Sequence, residues 1–440
     1  MSDTTQVSDT TQVSGTTQVS GTTQVLEPLA AERDVDRYTI ISSDCHAGAD
    51  IYAYRKHLES RYHDDFDAWA KSYDNPFSDL TGPDADRNYN HGRRLRELEA
   101  DGIVAEVLYP NTIPPFFPSS SLIATPPTKA DFEHRWAGLR AHNRWLAEFC
   151  AMAPTRRAGI AQILLNDVDA AVREIRWAKE AGLRGGIMLP GVPPDADLAP
   201  LFSDVYDPIW AVCDELDVPI NHHGGNASPM GLSVGGVSGA VFLIEQGWYS
   251  HRALWQLIFS GVFERHPHLK FVLTEQGGCS WLPGVLDFLD FYYERFTDSR
   301  ETVEARFGGP AAASLSLTPR EYWRRNCYLG ASFMRRIESP LRHQIGVEQI
   351  MWGADYPHSE TTYPYTREAL RWTFADVPAE EMRMMLGANA ARVYGFDLDI
   401  LAPIGARVGP TVAEVSHPLT EPPEDSVSLG FTQETFLRPW

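Results

Sequence analysis

The sequence predicts an α/β protein built on a closed (β/α)8 barrel. Eight short apolar segments have the pattern of β-strands, and stretches with helical periodicity separate most of them. This alternation favours parallel strands joined by crossover helices, and eight such units suggest a closed ring. The competing fold, a doubly wound open sheet, would need a glycine-rich phosphate loop near its first strand, and none is found there.

The predicted strands are apolar runs that stop at polar residues, glycine or proline. They cover residues 38–43, 103–109, 159–164, 185–189, 218–223, 270–275, 327–331 and 350–354.

The connecting helices are predicted from apolar residues spaced three and four apart. In residues 167–181, for example, Val172, Ile175 and Ala178 share one face, and Gly182 follows as the stop signal. The predicted helices cover residues 93–100, 129–152, 167–181, 202–216, 241–265, a segment ending near 295, 367–374 and 380–394.

Three segments fall outside this alternation. Residues 1–25 repeat a Thr-Thr-Gln-Val-Ser motif, which predicts a disordered, low-complexity tail over residues 1–36. Residues 47–90 form a long connection rich in Tyr, Asp and His, as expected of a lid or a binding loop. The barrel domain is predicted to span residues 37–397, and residues 398–440 to form an irregular, proline-rich C-terminal extension.

Composition narrows the range of partners. The formal charge of −21 argues against nucleic acid or an anionic membrane as the main partner. No apolar run is long enough to span a bilayer, and the N-terminus lacks the pattern of a secretory signal. The five cysteines contain no CxxC pair, which fits the reducing cytoplasm. We therefore expect a cytoplasmic protein with a small-molecule substrate, and self-association into a homo-oligomer stays open.

Metal-ligating side chains first appear where the first strand ends. Asp44 and His46 lie two positions apart, so on an extended backbone both side chains point to the same side. A carboxylate and an imidazole held side by side at a strand end are suited to begin a metal site.

Later strand ends carry the same kinds of residue. The other candidates are His222 and His223 on strand five, Glu275 on strand six, and Asp355 and His358 at strand eight. The C-terminal ends of barrel strands open on one face, so these side chains are expected to converge. Gathered there, carboxylates and imidazoles would repel one another or lack partners without a divalent cation. Nitrogen and oxygen donors without thiolate suit zinc, manganese or iron.

Each candidate also has an ordinary structural explanation. Asp44 and Asp355 could be caps, and His46 could be a hydrogen-bonded residue of the rim. His222 and His223 have opposite parity on a strand, so at most one is expected to face the centre. We favour the metal site because these separate explanations would all have to hold at four strand ends.

These motifs together resemble the amidohydrolase superfamily. The segments that carry the resemblance are Asp44-Cys45-His46, Pro219 to His223, Phe271 to Gly278, and Trp352-Gly353-Ala354-Asp355-Tyr356-Pro357-His358. They are most similar to the branch that includes metal-dependent decarboxylases of aromatic and muconate-type acids. The resemblance covers roughly residues 38–396 and implies a (β/α)8 barrel.

The resemblance implies Asp44, His46, His223 and Asp355 as metal ligands. Asp44-x-His46 replaces the His-x-His pair of the family, and Glu275 replaces a histidine that acts there as acid/base or ligand. The added carboxylates make a harder site that favours iron or manganese over zinc and could hold one ion or two. Glu275, His358 and His222 are further candidate ligands.

The leading hypothesis is a metal-dependent hydrolase or non-oxidative decarboxylase acting on an apolar, cyclic carboxylic acid or its derivative. Glu275 or His358 would move the proton. The alternative is a non-haem diiron monooxygenase that hydroxylates an apolar carbon skeleton such as a terpenoid, since three carboxylates and three imidazoles also suit two irons. A third hypothesis is a non-enzymatic binding protein whose barrel has lost catalytic activity.

Overall fold

Eight parallel strands form one sheet in which each strand pairs with the next along the chain. The computed structural model describes residues 36–73, 78–225, 227–229, 235–300, 302–433, 435 and 437. The strands are β1 Ile40–Ala47, β2 Ile103–Pro110, β3 Arg157–Gln162, β4 Gly186–Met188, β5 Ile220–His223, β6 Phe271–Thr274, β7 Cys327–Ser332 and β8 Ile350–Gly353. The predicted fold class is confirmed.

Hydrogen bonds between β1 and the residues that follow β8 close the ring. The Asp355 N–H donates to the Asp44 carbonyl (2.8 Å), and the His46 N–H donates to the Tyr356 carbonyl (2.7 Å). The Ser42 hydroxyl also accepts from the Ala354 N–H (2.9 Å). We call this β1–β8 junction the closing seam.

Seventeen α-helices are present among the described residues, most of them after or between strands. They are α1 His63–Ser72, α2 Ser78–Thr81, α3 His91–Ala100, α4 Phe132–Ala151, α5 Val168–Glu180, α6 Asp207–Glu215, α7 Gly236–Phe259, α8 Val262–Arg265, α9 Trp281–Phe296, α10 Val303–Ala312, α11 Pro319–Asn326, α12 Arg342–Ile345, α13 Thr366–Phe374, α14 Ala379–Arg383, α15 Asn389–Tyr394, α16 Leu398–Val408 and α17 Val412–Val415. Short 3₁₀ turns cover Ile51–His57, Ser60–Tyr62, Ala85–Asn88, Asp204–Tyr206, Ser339–Leu341, Val347–Gln349 and Leu429–Phe431, and Met384–Ala388 is a π-helical turn.

The helices cover the outside of the barrel through a large apolar core. Strand side chains such as Ile187 and Ile220 belong to the same buried cluster as Ile175 of α5, Trp210 of α6 and Leu254 of α7. A second buried cluster combines residues from several strands with Tyr394 and Leu401 of the C-terminal helices.

The prediction of an irregular C-terminal extension was wrong for two segments. Leu398–Val408 forms α16, and Val412–Val415 forms α17. The Asp397 side chain caps α16 by accepting from the N–H groups of Asp399 and Ile400. Pro403 removes one backbone donor from this helix without ending it. Helix α16 packs against the beginning of β1, where a Cβ on Gly405 would meet the Thr39 hydroxyl.

Other predicted bounds need smaller corrections. The helix predicted over residues 241–265 begins at Gly236 and breaks at Gly261, whose φ of 70° ends α7 before α8 starts. Helices α10 and α11 were not predicted, although Thr302 and Thr318 cap their first turns. Residues 47–90, predicted to be irregular, contain α1, α2 and 3₁₀ turns. The predicted tail over residues 1–36 lies outside the described residues except for Asp36.

Two further features concern compartment and membrane. All five cysteines are buried and free of disulfide bonds. In the described part of the chain, every helix is too short or too polar to cross a membrane.

The buried carboxyl group of Asp101 is expected to make stability depend on pH. Asp101 is 3% exposed, and its Oδ1 accepts from the Thr366 N–H at 3.1 Å. Burial raises the pKa of this carboxyl group to about 7. The folded state therefore retains a proton between about pH 4 and pH 7 that the unfolded state has lost, so stability falls as pH rises through this range.

We predict that Asp101→Asn removes this loss and raises stability at pH 8 by on the order of 2 kcal/mol, because the neutral amide still accepts from Thr366. Urea unfolding from pH 4 to pH 8 measures the effect, with exposed Asp376→Asn as the control. Parallel pH profiles for wild type and Asp101→Asn would contradict the prediction.

Candidate metal centre

The ends of four strands bring the predicted site residues together. Asp44 and His46 belong to β1, and His223 is the last residue of β5. Glu275 follows β6 by one residue, and Asp355 follows β8 by two. Four of these five residues are buried, and Glu275 keeps 31% of its side chain exposed.

Donor atoms of these residues approach to within a few ångströms. His46 Nε2 lies 3.3 Å from Asp44 Oδ1 and 3.0 Å from Asp355 Oδ1. His223 Nε2 lies 3.1 Å from Glu275 Oε2 and 3.8 Å from Asp44 Oδ1. These distances are short enough for one ion to lie between several donors.

The donors form two groups that share His46. One group consists of Asp44, His46, His223 and Glu275, and the other of His46, Asp355 and His358. Within each group the ligand atoms lie within 4.8 Å of one another. The His358 and His46 rings are close neighbours, with centroids 4.4 Å apart.

Backbone carbonyls orient the two buried imidazoles. His46 Nδ1 lies 3.3 Å from the Pro110 carbonyl, and His223 Nδ1 lies 3.0 Å from the Gly224 carbonyl. A carbonyl can only accept, so Nδ1 carries a proton in both rings and Nε2 is the ring atom that faces the acids. Second partners of this kind fix the tautomer of metal-binding histidines.

The pKa values of the two buried aspartates shift in opposite directions. Burial opposes ionisation of Asp44, but the neighbouring imidazoles of His223 and His46 outweigh it and hold the pKa of Asp44 below its usual range. Burial raises the pKa of Asp355 well above its usual value. Burial would lower the pKa of His223, yet Glu275 and Asp44 raise it well above its usual value.

Several buried atoms in this cluster are arranged to receive a cation. Asp44 Oδ1, His46 Nε2 and both oxygens of Asp355 make no hydrogen bond of acceptable geometry with the described residues. Buried polar atoms without partners are costly, and here they point toward one another. The residues therefore fit a divalent metal, and oxygen and nitrogen donors are the ligands that manganese, iron or zinc accepts.

Two of the carboxylate residues have an unusual backbone conformation. Glu275 has φ of 51° and Asp355 has φ of 58°, in the left-handed region that residues other than glycine seldom adopt. Such conformations cost free energy and concentrate at functional sites.

The structure separates His222 from this centre. Its Nδ1 lies 3.1 Å from the Leu189 carbonyl, on the opposite side of β5 from His223, and burial lowers its pKa to about 4. Neither donor group includes His222. The structure therefore does not bring His222, predicted as a further ligand, to the donor groups, and strand parity is the reason.

Sequence reasoning missed two residues beside the centre. The Ser332 hydroxyl at the end of β7 donates to Asp44 Oδ2. The Tyr109 ring near the end of β2 lies 4.9 Å from the His223 ring, and its hydroxyl pairs with Thr274 at 2.7 Å. Both are polar residues at strand ends, so the rule used for the other strands could have found them.

A cavity of about 710 Å³ opens beside the cluster. His223, Glu275 and His358 line it together with mostly small and apolar residues. Loops after β1, β2, β5 and β8 and the first half of α7 form its walls, and its described lining contains no lysine or arginine.

The fold and this centre define a class of barrel proteins with carboxylates and imidazoles gathered at the strand ends. The amidohydrolase family model matches residues 46–396, which is most of the chain. The chain belongs to the amidohydrolase family.

Proteins similar in sequence to this chain include decarboxylases. The γ-resorcylate decarboxylase of Rhodococcus jostii is 28% identical over 272 residues, covering 59% of this chain and 76% of the relative. The γ-resorcylate decarboxylase of Rhizobium radiobacter is 26% identical over 317 residues, covering 69% and 86%.

Solved structures share the fold. The 5-carboxyvanillate decarboxylase of Novosphingobium aromaticivorans, solved in complex with manganese, matches with a TM-score of 0.57 at 21% identity, covering 81% of this chain and 96% of that one. The 2,6-dihydroxybenzoate decarboxylase of Rhizobium matches with a TM-score of 0.55 at 19% identity, covering 82% and 99%.

We predict that the adjacent histidines respond differently to the same substitution. His223→Gln removes a donor atom from the cluster and is expected to weaken metal binding about 100-fold or more. His222→Gln is expected to keep the metal content of wild type and to lower only stability, by about 1–3 kcal/mol. Elemental analysis after dialysis, together with thermal unfolding, measures both effects. Equal metal loss in the two variants would contradict the assignment.

Proposed function

We propose that this protein is a metal-dependent, non-oxidative decarboxylase of an apolar, cyclic carboxylic acid. The observation that carries the proposal is the convergence of Asp44, His46, His223 and Asp355 beside a ligand-sized cavity. The activities of the γ-resorcylate decarboxylases support it, as does the manganese bound by the 5-carboxyvanillate decarboxylase.

These four residues would hold the metal, with manganese or iron favoured by their two carboxylates. A bound divalent ion supplies Lewis-acid polarisation of a substrate oxygen. The buried positions of Asp44, His46 and Asp355 keep water away from most of the coordination sphere. The partly exposed Glu275 leaves one side open to the cavity.

Decarboxylation requires a proton donor beside the substrate carbon. When the bond between that carbon and the carboxyl group breaks, carbon dioxide leaves and the electron pair stays on the carbon. A proton from Glu275 or His358 then forms the new C–H bond, and water later returns a proton to that side chain. Both side chains line the cavity, and this position supports their proposed role in proton transfer.

The cavity lining favours an otherwise apolar substrate. Leu122, Ile123, Phe242 and Leu243 contribute apolar surface. Because the described lining contains no lysine or arginine, the metal would provide the main positive charge for a substrate carboxylate. Hydrolysis of a derivative of such an acid uses the same centre and stays within the proposal as the alternative reaction.

One observation favours a second candidate, a non-haem diiron monooxygenase acting on an apolar carbon skeleton. The donors fall into two groups that share His46, and together they provide three carboxylates and three imidazoles. That set is sufficient for two ions. An oxygenase of this kind would consume dioxygen, whereas the decarboxylase would not.

Metal content and oxygen dependence test the two candidates. The purified protein is expected to contain one manganese or iron per chain. Under anaerobic conditions it should release one carbon dioxide per acid consumed from a panel that includes 2,6-dihydroxybenzoate and 5-carboxyvanillate. Metal analysis, gas measurement and product mass spectrometry provide the readouts, with Asp355→Ala as the inactive control. Two irons per chain and oxygen-dependent hydroxylation would replace the decarboxylase by the oxygenase.

Glu275→Gln tests the proton-transfer role. The amide keeps the size of the side chain but cannot deliver a proton, so kcat is expected to fall about 100-fold or more while bound metal is unchanged. Glu360→Gln, in the wall of the same cavity, is the matched control and should retain activity. Loss of metal along with activity would make Glu275 a ligand instead of the proton donor.

A further inference from the structure

A second, smaller cavity lies at the ends of β3 and β4, two strands that carry none of the candidate metal ligands. Its volume is about 70 Å³, enough for a few atoms but not for a whole substrate. Leu122, Ile123, Gly225 and Phe242 line both this cavity and the larger one. The two spaces therefore adjoin at these four residues.

Gln162 contributes a buried polar side chain to the lining of the smaller cavity. It is the last residue of β3 and is 2% exposed. It has the parity of Ala158 and Ile160, which pack with residues of other strands in one buried cluster. The Gln162 side chain lines the cavity, but neither its Oε1 nor its Nε2 makes a hydrogen bond with any described residue.

The backbone of Gln162 is held firmly by a neighbouring helix. Asn143 of α4 is fully buried, and its Oδ1 accepts from the Gln162 N–H while its Nδ2 donates to the Gln162 carbonyl, both at 2.9 Å. Asn143 Nδ2 also donates to Glu174 at 2.9 Å. The structure thus fixes the position of Gln162 and leaves its side-chain amide for another partner.

A buried amide without a partner lowers stability, because water would otherwise hydrogen-bond to it. Such groups are uncommon in native proteins, and a water molecule, an ion or a bound ligand supplies the missing partner. Ser228 Oγ is a second buried atom of the same cavity that has no hydrogen-bond partner among the described residues.

The lining specifies the chemistry of that partner. Every described lining residue is uncharged, and most are leucine, isoleucine, proline, alanine or glycine. A charged group would lose its hydration here without a counter-charge. An uncharged hydroxyl can donate to Gln162 Oε1 and accept from Gln162 Nε2 or Ser228 Oγ.

We propose that Gln162 forms a specificity subsite that binds an uncharged hydroxyl group at the end of the substrate remote from the metal. The subsite rests on the proposed function, because the metal centre holds the other end of the same molecule. It narrows the substrate class to carboxylic acids that carry a hydroxyl group on the far side of an apolar ring system.

Paired ligands test the subsite by calorimetric titration of the manganese-loaded protein. The pairs are benzoate with 4-hydroxybenzoate, 2-naphthoate with 6-hydroxy-2-naphthoate, and biphenyl-4-carboxylate with 4′-hydroxybiphenyl-4-carboxylate. Wild type is expected to bind the hydroxylated member of at least one pair about tenfold more tightly. Gln162→Met keeps the side-chain length and should abolish this preference without weakening binding of the unhydroxylated acid.

Gln349→Met is the matched control, since Gln349 is also buried but its Nε2 donates to the Arg324 carbonyl at 3.2 Å. In the absence of ligand, Gln349→Met should lower the melting temperature by a few degrees. Gln162→Met should leave the melting temperature unchanged or raise it, because it removes an amide that makes no hydrogen bond with the described residues. Gln349→Met should also keep the hydroxyl preference of wild type.

The subsite is overturned if no pair shows a preference in wild type, if none of the acids binds, or if Gln162→Met keeps the preference. It is also overturned if Gln162→Met destabilises the ligand-free protein as much as Gln349→Met does. Carbon dioxide release is measured separately. A hydroxyl preference without carbon dioxide release from any acid would reject the proposed function and keep the subsite. Carbon dioxide release without a hydroxyl preference would reject only the subsite.

Discussion

The closing seam of the barrel is the constraint on which the candidate centre depends. The backbone groups of Asp44 and His46 make the hydrogen bonds that join β1 to the segment after β8, and the partners there are Asp355 and Tyr356. The residues that close the ring therefore also present their side chains to the centre. Any change that opened the seam would separate Asp44 and His46 from Asp355, so barrel closure and metal-site geometry are one structural requirement.

Charge compensation explains the organisation around the seam. Carboxylates and imidazoles lie within 3.0–3.8 Å of one another in a buried setting where ionised groups are costly without a counter-charge. Carbonyls of Pro110 and Gly224 orient the two imidazoles, and Ser332 occupies one oxygen of Asp44. A divalent cation would balance the remaining charge, and this turns a cluster that is unfavourable by itself into a site for chemistry.

The two ends of the barrel have different roles. The N-terminal end contributes to stability, and the C-terminal end carries the candidate site. At the N-terminal end, α16 packs against the start of β1, and Tyr394 reaches inward to donate to Asn221 at 2.8 Å. At the other end, loops surround a large cavity beside the candidate metal ligands and a small one at Gln162. This arrangement is typical of barrel enzymes, whose active sites lie at the C-terminal ends of the strands. A substrate that fills both cavities would contact the metal at one end and an uncharged amide at the other.

The sequence by itself determined the eight strands, their parallel order and the strand ends that carry Asp44, His46, His223, Glu275 and Asp355, because apolar periodicity and local chain direction are encoded by nearby residues. Strand parity also predicted that only one of His222 and His223 would face the centre. Parity did not say which one, and the family resemblance named His223; the structure brings His223 to the donors and turns His222 toward the Leu189 carbonyl. Only the tertiary structure decided the position of α16, the bond from Ser332 to Asp44 and the environment of the side-chain amide of Gln162, which has no partner among the described residues. These features depend on contacts between residues that are distant in the chain. A local sequence pattern does not predict which distant side chains will come into contact.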